Sequence, residues 1–399
     1  MYTLLLVVIY IAFISLGLPD SLLGSAWPVM HQTFKVPLSY MGMISMVISG
    51  GTIVSSLVSD KLTKRFGTQI VTVVSVFLTA IALFGFSISG EFWLLILFAI
   101  PYGLGAGAID AALNNYVALH YSSKHMSWLH CFWGVGTVVS PFVMSYALTT
   151  SNWNMGYRMI SIIQMGIVLL LFFTLPLWKV NQNKVEEHRT KESVGLVDVL
   201  KIKGVPTLLI GFFGYCAAEA TAMGWTATYL VTVKEIHAEK AAAFASLVFI
   251  GLTIGRFLGG FLMDKLGDRK MILLGAVIAM IGIACLLVPI ENEMLALIGF
   301  SIIGFGYAPI YPCIIHSTPS NFGAKNSGAI IGIQMASAYV GTTFIPPLYG
   351  LLGRRIGYEI LPVYLIIFVA LMLYMTERTF RVTAKSKKSD IACEEVITE

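Results

Sequence analysis

Apolar runs of about twenty residues recur along the whole chain, each closed by charges or turn residues. No motif restricts the fold as strongly. Each run can cross a hydrocarbon core of about 30 Å as a helix. Within hydrocarbon every backbone amide must find its partner inside the protein, so such runs become membrane-spanning helices. Twelve candidate spans follow one another, at residues 4–30, 40–59, 69–89, 92–117, 127–150, 157–178, 205–233, 240–263, 271–289, 294–318, 324–350 and 357–377. The first run, Thr3–Met30, continues into Pro28 and a second span with no small-residue cleavage site, unlike a removable signal peptide. Only 12% of the 399 residues are charged and 57% are hydrophobic, whereas soluble proteins carry roughly a quarter charged residues. The chain reads as an all-α, polytopic membrane protein whose surroundings are lipid, with no nucleic-acid partner expected.

One long polar connection, Lys179–Gly204, separates six spans from six. The expected organisation is a six-helix bundle over 1–178, a cytoplasmic linker over 179–204, a second bundle over 205–377 and a polar, disordered cytoplasmic tail over 378–399. With both termini inside, the cytoplasmic segments hold nineteen Lys and Arg residues and the external segments six, while Arg256 lies within a span. That asymmetry places both termini in the cytoplasm. Basic residues at the start of the tail, such as Lys385, favour anionic lipid. Four of the five cysteines, Cys131, Cys216, Cys285 and Cys313, sit in apolar spans and read as small hydrophobes. Neither a disulfide framework, a metal site nor a cofactor is expected.

The two halves also repeat. "SDKLTKRFG" after the second span matches "MDKLGDRKM" after the eighth, with Asp60 and Asp264 204 residues apart. "GTVVSPF" matches "GTTFIPP", with Pro141 and Pro346 205 apart. Parallel six-helix repeats of this kind build one large class of transporters. The twelve spans, central loop and paired D-K-L loops resemble the major facilitator superfamily, and "GGFLMDKLGDRK" is similar to its cytoplasmic loop signature. The first copy departs from that signature, with Ser56 in place of the glycine. Within the superfamily, "YGLGAGAIDAALNNYV" and "WLHCFWGVGTVVSP" resemble the fucose–proton symporter group of sugar transporters. The resemblance implies twelve transmembrane helices in two pseudo-symmetric bundles.

Several polar residues sit where they are costly. A carboxylate inside a span costs about 2.5–3.5 kcal/mol on insertion scales, which makes Asp110 a functional candidate. Burial drives such an acid toward taking a proton near working pH, so Asp110 is expected to face a water-filled cavity as a proton-coupling group. Asp20 follows Pro19, which removes a backbone donor and loosens the first span. The resemblance implies that an acid on helix 1 partners substrate or proton. Glu219 lies at mid-depth in the seventh span, with Trp225 and Tyr229 beyond it, and carboxylates with aromatic faces suit a polyol. His130 and Trp133 lie one turn apart at the start of the fifth span. The resemblance places a substrate-contacting residue at His130, although an amide is more usual there, and His130 could share the proton with Asp110. Asn114 and Gln334 complete the substrate-binding candidates.

Asp60, Asp264 and Arg269 read differently. The resemblance implies a cytoplasmic gate latch at these positions, and a carboxylate there could also stabilise the N-terminus of a facing helix. Arg256 needs an acid or backbone carbonyls inside the bundle. Pro309 and Pro312 are expected to bend the tenth span.

These residues point to a secondary transporter and not to an enzyme. The leading expectation is proton-coupled symport of a monosaccharide or related small polar solute by alternating access, with sodium coupling still open. The alternative is a proton antiporter exporting a drug or metabolite. Such exporters usually carry a glycine-proline pair in the fifth span, whereas this chain has Ser140-Pro141-Phe142. A receptor or scaffold would need an appended domain, and no HExxH or GxSxG protease or hydrolase motif is present. One chain is expected to suffice, in a prokaryotic cytoplasmic membrane.

Overall fold

A computed structural model describes residues 2–182, 195–288 and 293–398. Among them every regular element is a helix. The order is α1 (Tyr2–Asp20), α2 (Leu22–Thr33), α3 (Met41–Phe66), α4 (Thr68–Ile88), α5 (Phe92–His120), α6 (Ser123–Thr150), α7 (Trp153–Phe173) and α8 (Leu175–Gln182). It continues through α9 (Leu196–Lys201), α10 (Val205–Thr232), α11 (Ala238–Leu266), α12 (Asp268–Leu287), α13 (Glu293–Tyr307), α14 (Ile310–Phe322), α15 (Ala324–Ile356) and α16 (Leu361–Thr398). Eleven stretches among the described residues are long and apolar enough to cross a membrane. The remaining predicted span, 240–263, is the 29-residue helix α11. Large apolar side chains such as Trp93, Phe142, Phe173, Phe261 and Tyr374 remain exposed on the helices, as a lipid-facing exterior requires.

The chain packs as two compact units. Met1–Tyr116 with Trp128–Ser193 forms one, and Val117–Ser127 with Val194–Glu399 forms the other. The connection between α5 and α6 thus packs with the second unit.

Proline chemistry explains the two broken spans. Pro19 cannot donate a backbone hydrogen bond, and α1 stops at Asp20 one residue later. The chain resumes as α2 after Ser21, whose hydroxyl donates to the Thr137 carbonyl at 2.7 Å. In the tenth span α13 stops at Tyr307 and Pro309 caps α14. Pro312 falls in the first turn of α14, where a missing N–H costs little. The predicted bend therefore belongs to Pro309.

The repeated loops share one backbone device. Gly67 (φ 83°) ends α3 and Gly267 (φ 76°) ends α11. Each donates its N–H to the carbonyl four residues back, Thr63 and Met263, at 2.8 Å. Only glycine holds that conformation without strain.

Beyond 377 the structure corrects the sequence reading. The expected disordered tail is a continuation of α16 to Thr398. Thr376, Thr379 and Thr383 are buried, Thr379 pairs with Thr207 of α10 at 2.8 Å, and Arg269 grips Glu377 through two bonds of 2.9 and 2.6 Å. Those contacts carry the helix past the last apolar turn. The linker is helical at both ends, as α8 and α9, and its centre at 183–194 lies outside the described residues.

In the first unit α1 and α6 cross backbone to backbone. A Cβ on Gly17 would collide with the Trp133 carbonyl, and one on Gly136 with the Ile14 carbonyl. This crossing presents Trp133 to the end of α1. Gly17→Ala should therefore cost about 1–3 kcal/mol through overpacking, which thermal unfolding in detergent would register.

Candidate functional site

The first unit gathers its polar residues on α1, α5 and α6. Asn114 sits one helical turn beyond Asp110 on α5 and donates its amide to Asp110 Oδ1 at 2.8 Å and to the Asp110 carbonyl at 3.0 Å. On the other side Asn114 Oδ1 meets His130 Nε2 of α6 at 3.1 Å. An amide oxygen only accepts, so the imidazole hydrogen in this pair sits on Nε2. The Phe13 ring meets the His130 ring edge-on at 5.3 Å and closes the pocket from α1. Asp110, Asn114 and His130 are 4%, 0% and 5% exposed. The structure thus joins three of the predicted residues, but Asp110 is enclosed by protein and does not face the open cavity expected of it.

Asp20, at the break between α1 and α2, is accessible instead. Its Oδ2 accepts from the Trp133 indole at 2.8 Å and its Oδ1 from the Tyr102 hydroxyl at 3.2 Å. Tyr102 was not among the sequence candidates. Its only signal was a polar aromatic two turns before Asp110 on the same helix, in a span rich in tyrosine.

In the second unit Glu219 answers the question of Arg256. The guanidinium of α11 meets Glu219 Oε1 of α10 at 3.1 Å, and the Tyr215 hydroxyl donates to the same oxygen at 2.8 Å. The pair is almost closed to solvent, with side-chain exposures of 4% and 13%. Trp225 and Tyr229 do not join it. Tyr229 lies ten residues on, about 15 Å along the axis. There it is buried against Phe300 with its hydroxyl toward the Leu286 carbonyl at 3.4 Å. Trp225 projects from another side of α10, donates to the Pro346 carbonyl at 2.9 Å and stacks on Tyr358 at 5.7 Å. Both contacts are packing, which corrects the grouping of these aromatics with Glu219.

Gln334 of α15 is fully buried, and its Oε1 accepts from Thr318 of α14 at 3.1 Å. This bond repeats one in the first unit: Thr318 and Gln334 lie 204 residues after Asn114 and His130, with the same 16-residue separation and the same 3.1 Å length. The acid is not repeated, because Ile314 occupies the position 204 after Asp110. Asp110 therefore marks the first unit alone.

The predicted gate residues behave asymmetrically. Asp60 pairs with Lys64 of its own helix at 2.8 Å. Asp264 instead faces the first turn of α6, meeting Lys124 Nζ at 3.4 Å, the Lys124 amide at 3.3 Å and the Ser122 hydroxyl at 3.2 Å. Asp268, absent from the sequence candidates, accepts from the Ser123 hydroxyl at 2.6 Å and meets His316 Nδ1 at 2.8 Å. Two carboxylates thus converge on one helix N-terminus, where negative charge is favoured. Arg269 turns away to Glu377. Ser127, a turn further along α6, donates to the Arg256 carbonyl at 2.6 Å. Among the described residues no cluster of three metal-ligating side chains occurs.

Comparison with known proteins bears on the same features. The chain is 21% identical over 361 residues to the glucose/mannose transporter GlcP of Bacillus subtilis, covering 86% of each chain. It is 23% identical over 283 residues to Bypass of stop codon protein 6 of Saccharomyces cerevisiae, covering 65% of this chain and only 57% of the yeast protein's length. Its fold superposes on the crystal structure of the E. coli fucose:proton symporter FucP with a TM-score of 0.77 at 17% identity, over 95% of this chain and 99% of that one. The profile of the Major Facilitator Superfamily matches residues 9–346 and 233–394. Eleven membrane-length apolar stretches among the described residues, a duplicated loop signature and a family match over nearly the whole length make this multi-pass membrane protein a transporter that belongs to the Major Facilitator Superfamily.

Proposed function

We propose that the protein is a proton-coupled symporter of a monosaccharide or related small polar solute, working by alternating access. Asp110 and Asp20 are its coupling acids. The observation that carries this reading is the pair of carboxylates on α5 and α1: Asp110 accepts from the neutral Asn114 amide one turn along its own helix, and Asp20 accepts from Tyr102 of α5 and Trp133 of α6. Neutral donors tolerate both protonation states, whereas a fixed cation would lock an acid in its charged form. The indole of Trp133 beside the accessible Asp20 offers a carboxylate and an apolar face together, the combination a sugar ring needs. GlcP and FucP carry sugar transport in their names, which supports the solute class. The orientation with both termini cytoplasmic follows from the cation asymmetry, and a monomer with no bound cofactor suffices. In this reading Asp264 and Asp268 restrain the start of α6 on the cytoplasmic side, with Asp60 and Arg269 as lesser parts of the gate.

Liposomes containing the protein and a pH reporter supply the test. Hexoses and deoxyhexoses added outside should acidify the lumen, without sodium. Amphipathic cations that instead provoke proton counterflow would establish export, and a strict sodium requirement would replace the coupling ion.

A further inference from the structure

His316 of α14 faces an acceptor at each ring nitrogen. Its Nδ1 lies 2.8 Å from Asp268 Oδ2, and its Nε2 lies 3.1 Å from the Tyr121 carbonyl. The Ser123 hydroxyl gives its hydrogen to Asp268 Oδ1 at 2.6 Å and turns a lone pair toward Nδ1 at 2.9 Å. A neutral imidazole carries one hydrogen and one lone pair. With the hydrogen on Nδ1, the bare Nε2 would point at the Tyr121 oxygen. With it on Nε2, the bare Nδ1 would point at a carboxylate. Turning the Ser123 hydroxyl to Nδ1 does not mend this, because Asp268 Oδ1 then loses its donor and Oδ2 still faces a bare nitrogen. Only the imidazolium, with a hydrogen on each nitrogen, satisfies every acceptor. That hydrogen stays on the ring, since a carboxylic acid ordinarily loses its proton near pH ~4 and an imidazolium near ~6.5.

The charges around it call for that cation. Position 268 is acidic, whereas Lys64 stands 204 residues earlier, and the residue 204 before His316 is Ala112. The second unit alone therefore sets two carboxylates, Asp264 and Asp268, against the start of α6. Lys124 of α6 offsets Asp264 at 3.4 Å and stays charged at any working pH. His316 offsets Asp268, and 20% of its side chain is exposed, so its proton can exchange with water. The other titratable groups here are Cys313, a turn earlier on α14 and facing Asp268, and His125 of α6, beside Lys124 and Asp264. Among the described residues no charged side chain of α10, α13, α15 or α16 bears on His316.

We propose that His316 is a pH-sensitive lock on the start of α6. As the imidazolium it ties the connection between α5 and α6 to Asp268, and loss of its proton to water releases that tie. The proposal deepens the reading of Asp264 and Asp268 as a gate and rests on it, but it depends on neither the solute nor the coupling ion. One proton leaves one ring nitrogen for water, and the hydrogen bond at that nitrogen goes with it. In acid both carboxylates hold the connection. In alkali the Lys124–Asp264 pair carries the hold, and the gate yields more readily. Of the two charge pairs at this helix start, one ignores pH and the other reports it.

Backbone hydrogen exchange of the purified full-length protein tests this independently of transport. The amides of Tyr121, Lys124 and His125 bond to the Val117 carbonyl, Asp264 Oδ1 and the Ser122 carbonyl, so they report on the connection. Corrected for the intrinsic rate at each pH, their protection should fall about tenfold between about pH 5.5 and 8.5, as a hydrogen bond to a charged group is lost. In His316→Gln, which has one donor nitrogen and does not titrate, protection should stay flat over that range. Asp268→Asn gives a second check: its amide can donate to Nδ1, a neutral imidazole then fits, and the pH effect should vanish as well. Nitrogen NMR of labelled histidine, with the signal assigned by its loss in His316→Gln, should show hydrogens on both ring nitrogens at the acid end. An equal fall of protection in wild type and His316→Gln would overturn the proposal, as would a ring with one bare nitrogen throughout the range. An Asp264→Asn protein as well protected as wild type would instead defeat the gate reading of Asp264, a separate result.

Discussion

On the proposed symport, Asp110→Asn should turn an accumulating transporter into an equilibrating one. With one proton per solute, a gradient of one pH unit supports about tenfold accumulation, because about 1.4 kcal/mol is a factor of ten. The variant should settle near onefold and still exchange labelled solute across the membrane. The substitution is nearly isosteric, and the new amide oxygen can keep accepting from Asn114 Nδ2, so folding and thermal stability should stay close to wild type. What is lost is the ability to take and release a proton inside a network only 4% exposed. His130→Gln makes the matching control: an amide can still donate to Asn114 Oδ1, as His130 Nε2 does, but it cannot titrate. If His130 only orients Asn114, this variant accumulates normally. If His130 shares the proton, it falls toward the Asp110→Asn level. Flux measured with and without a pH gradient separates these outcomes, and undiminished accumulation by Asp110→Asn would contradict the assignment.

The architecture was legible because the bilayer leaves few options. Apolar run length locates the spans, and the predicted limits lie within several residues of the helix ends, as α5 and α15 show. The broken first and tenth spans were also legible, since proline leaves a mark no neighbour can hide. The tail from 378 was not, because its order comes from Thr379 and Glu377 reaching other helices, and such partners leave no local periodicity. Side-chain partnerships followed the same division. Asp110 and Asn114 share one helix face, so their union could be read from spacing, while the bond to His130 needed the packing of α5 on α6. By helical angle Glu219 and Tyr229 fall on similar sides of α10, but ten residues of rise put them in different layers. Asp268 and His316 escaped notice because neither is unusual until the start of α6 lies against them.

The buried pair on α10 and α11 carries the second large effect. Removing one partner leaves an uncompensated charge in a low-dielectric interior, a cost of about 3–5 kcal/mol, whereas replacing both by apolar residues of similar size is often neutral or stabilising. Arg256→Met alone should therefore lower the unfolding temperature sharply in detergent, and Glu219→Leu alone should do likewise. The double variant should recover most of the loss, giving a coupling energy well above the roughly 0.5 kcal/mol expected of independent sites. Tyr215 sets the size of the recovery. In the Arg256→Met variant its hydroxyl still donates to Glu219 Oε1, and in the double variant it keeps only the Tyr307 carbonyl at 3.0 Å. The same proteins decide whether Glu219 does more than pack. A double variant that folds and transports normally makes the ion pair structural. One that folds yet no longer transports shows that the Glu219 carboxylate also meets the solute.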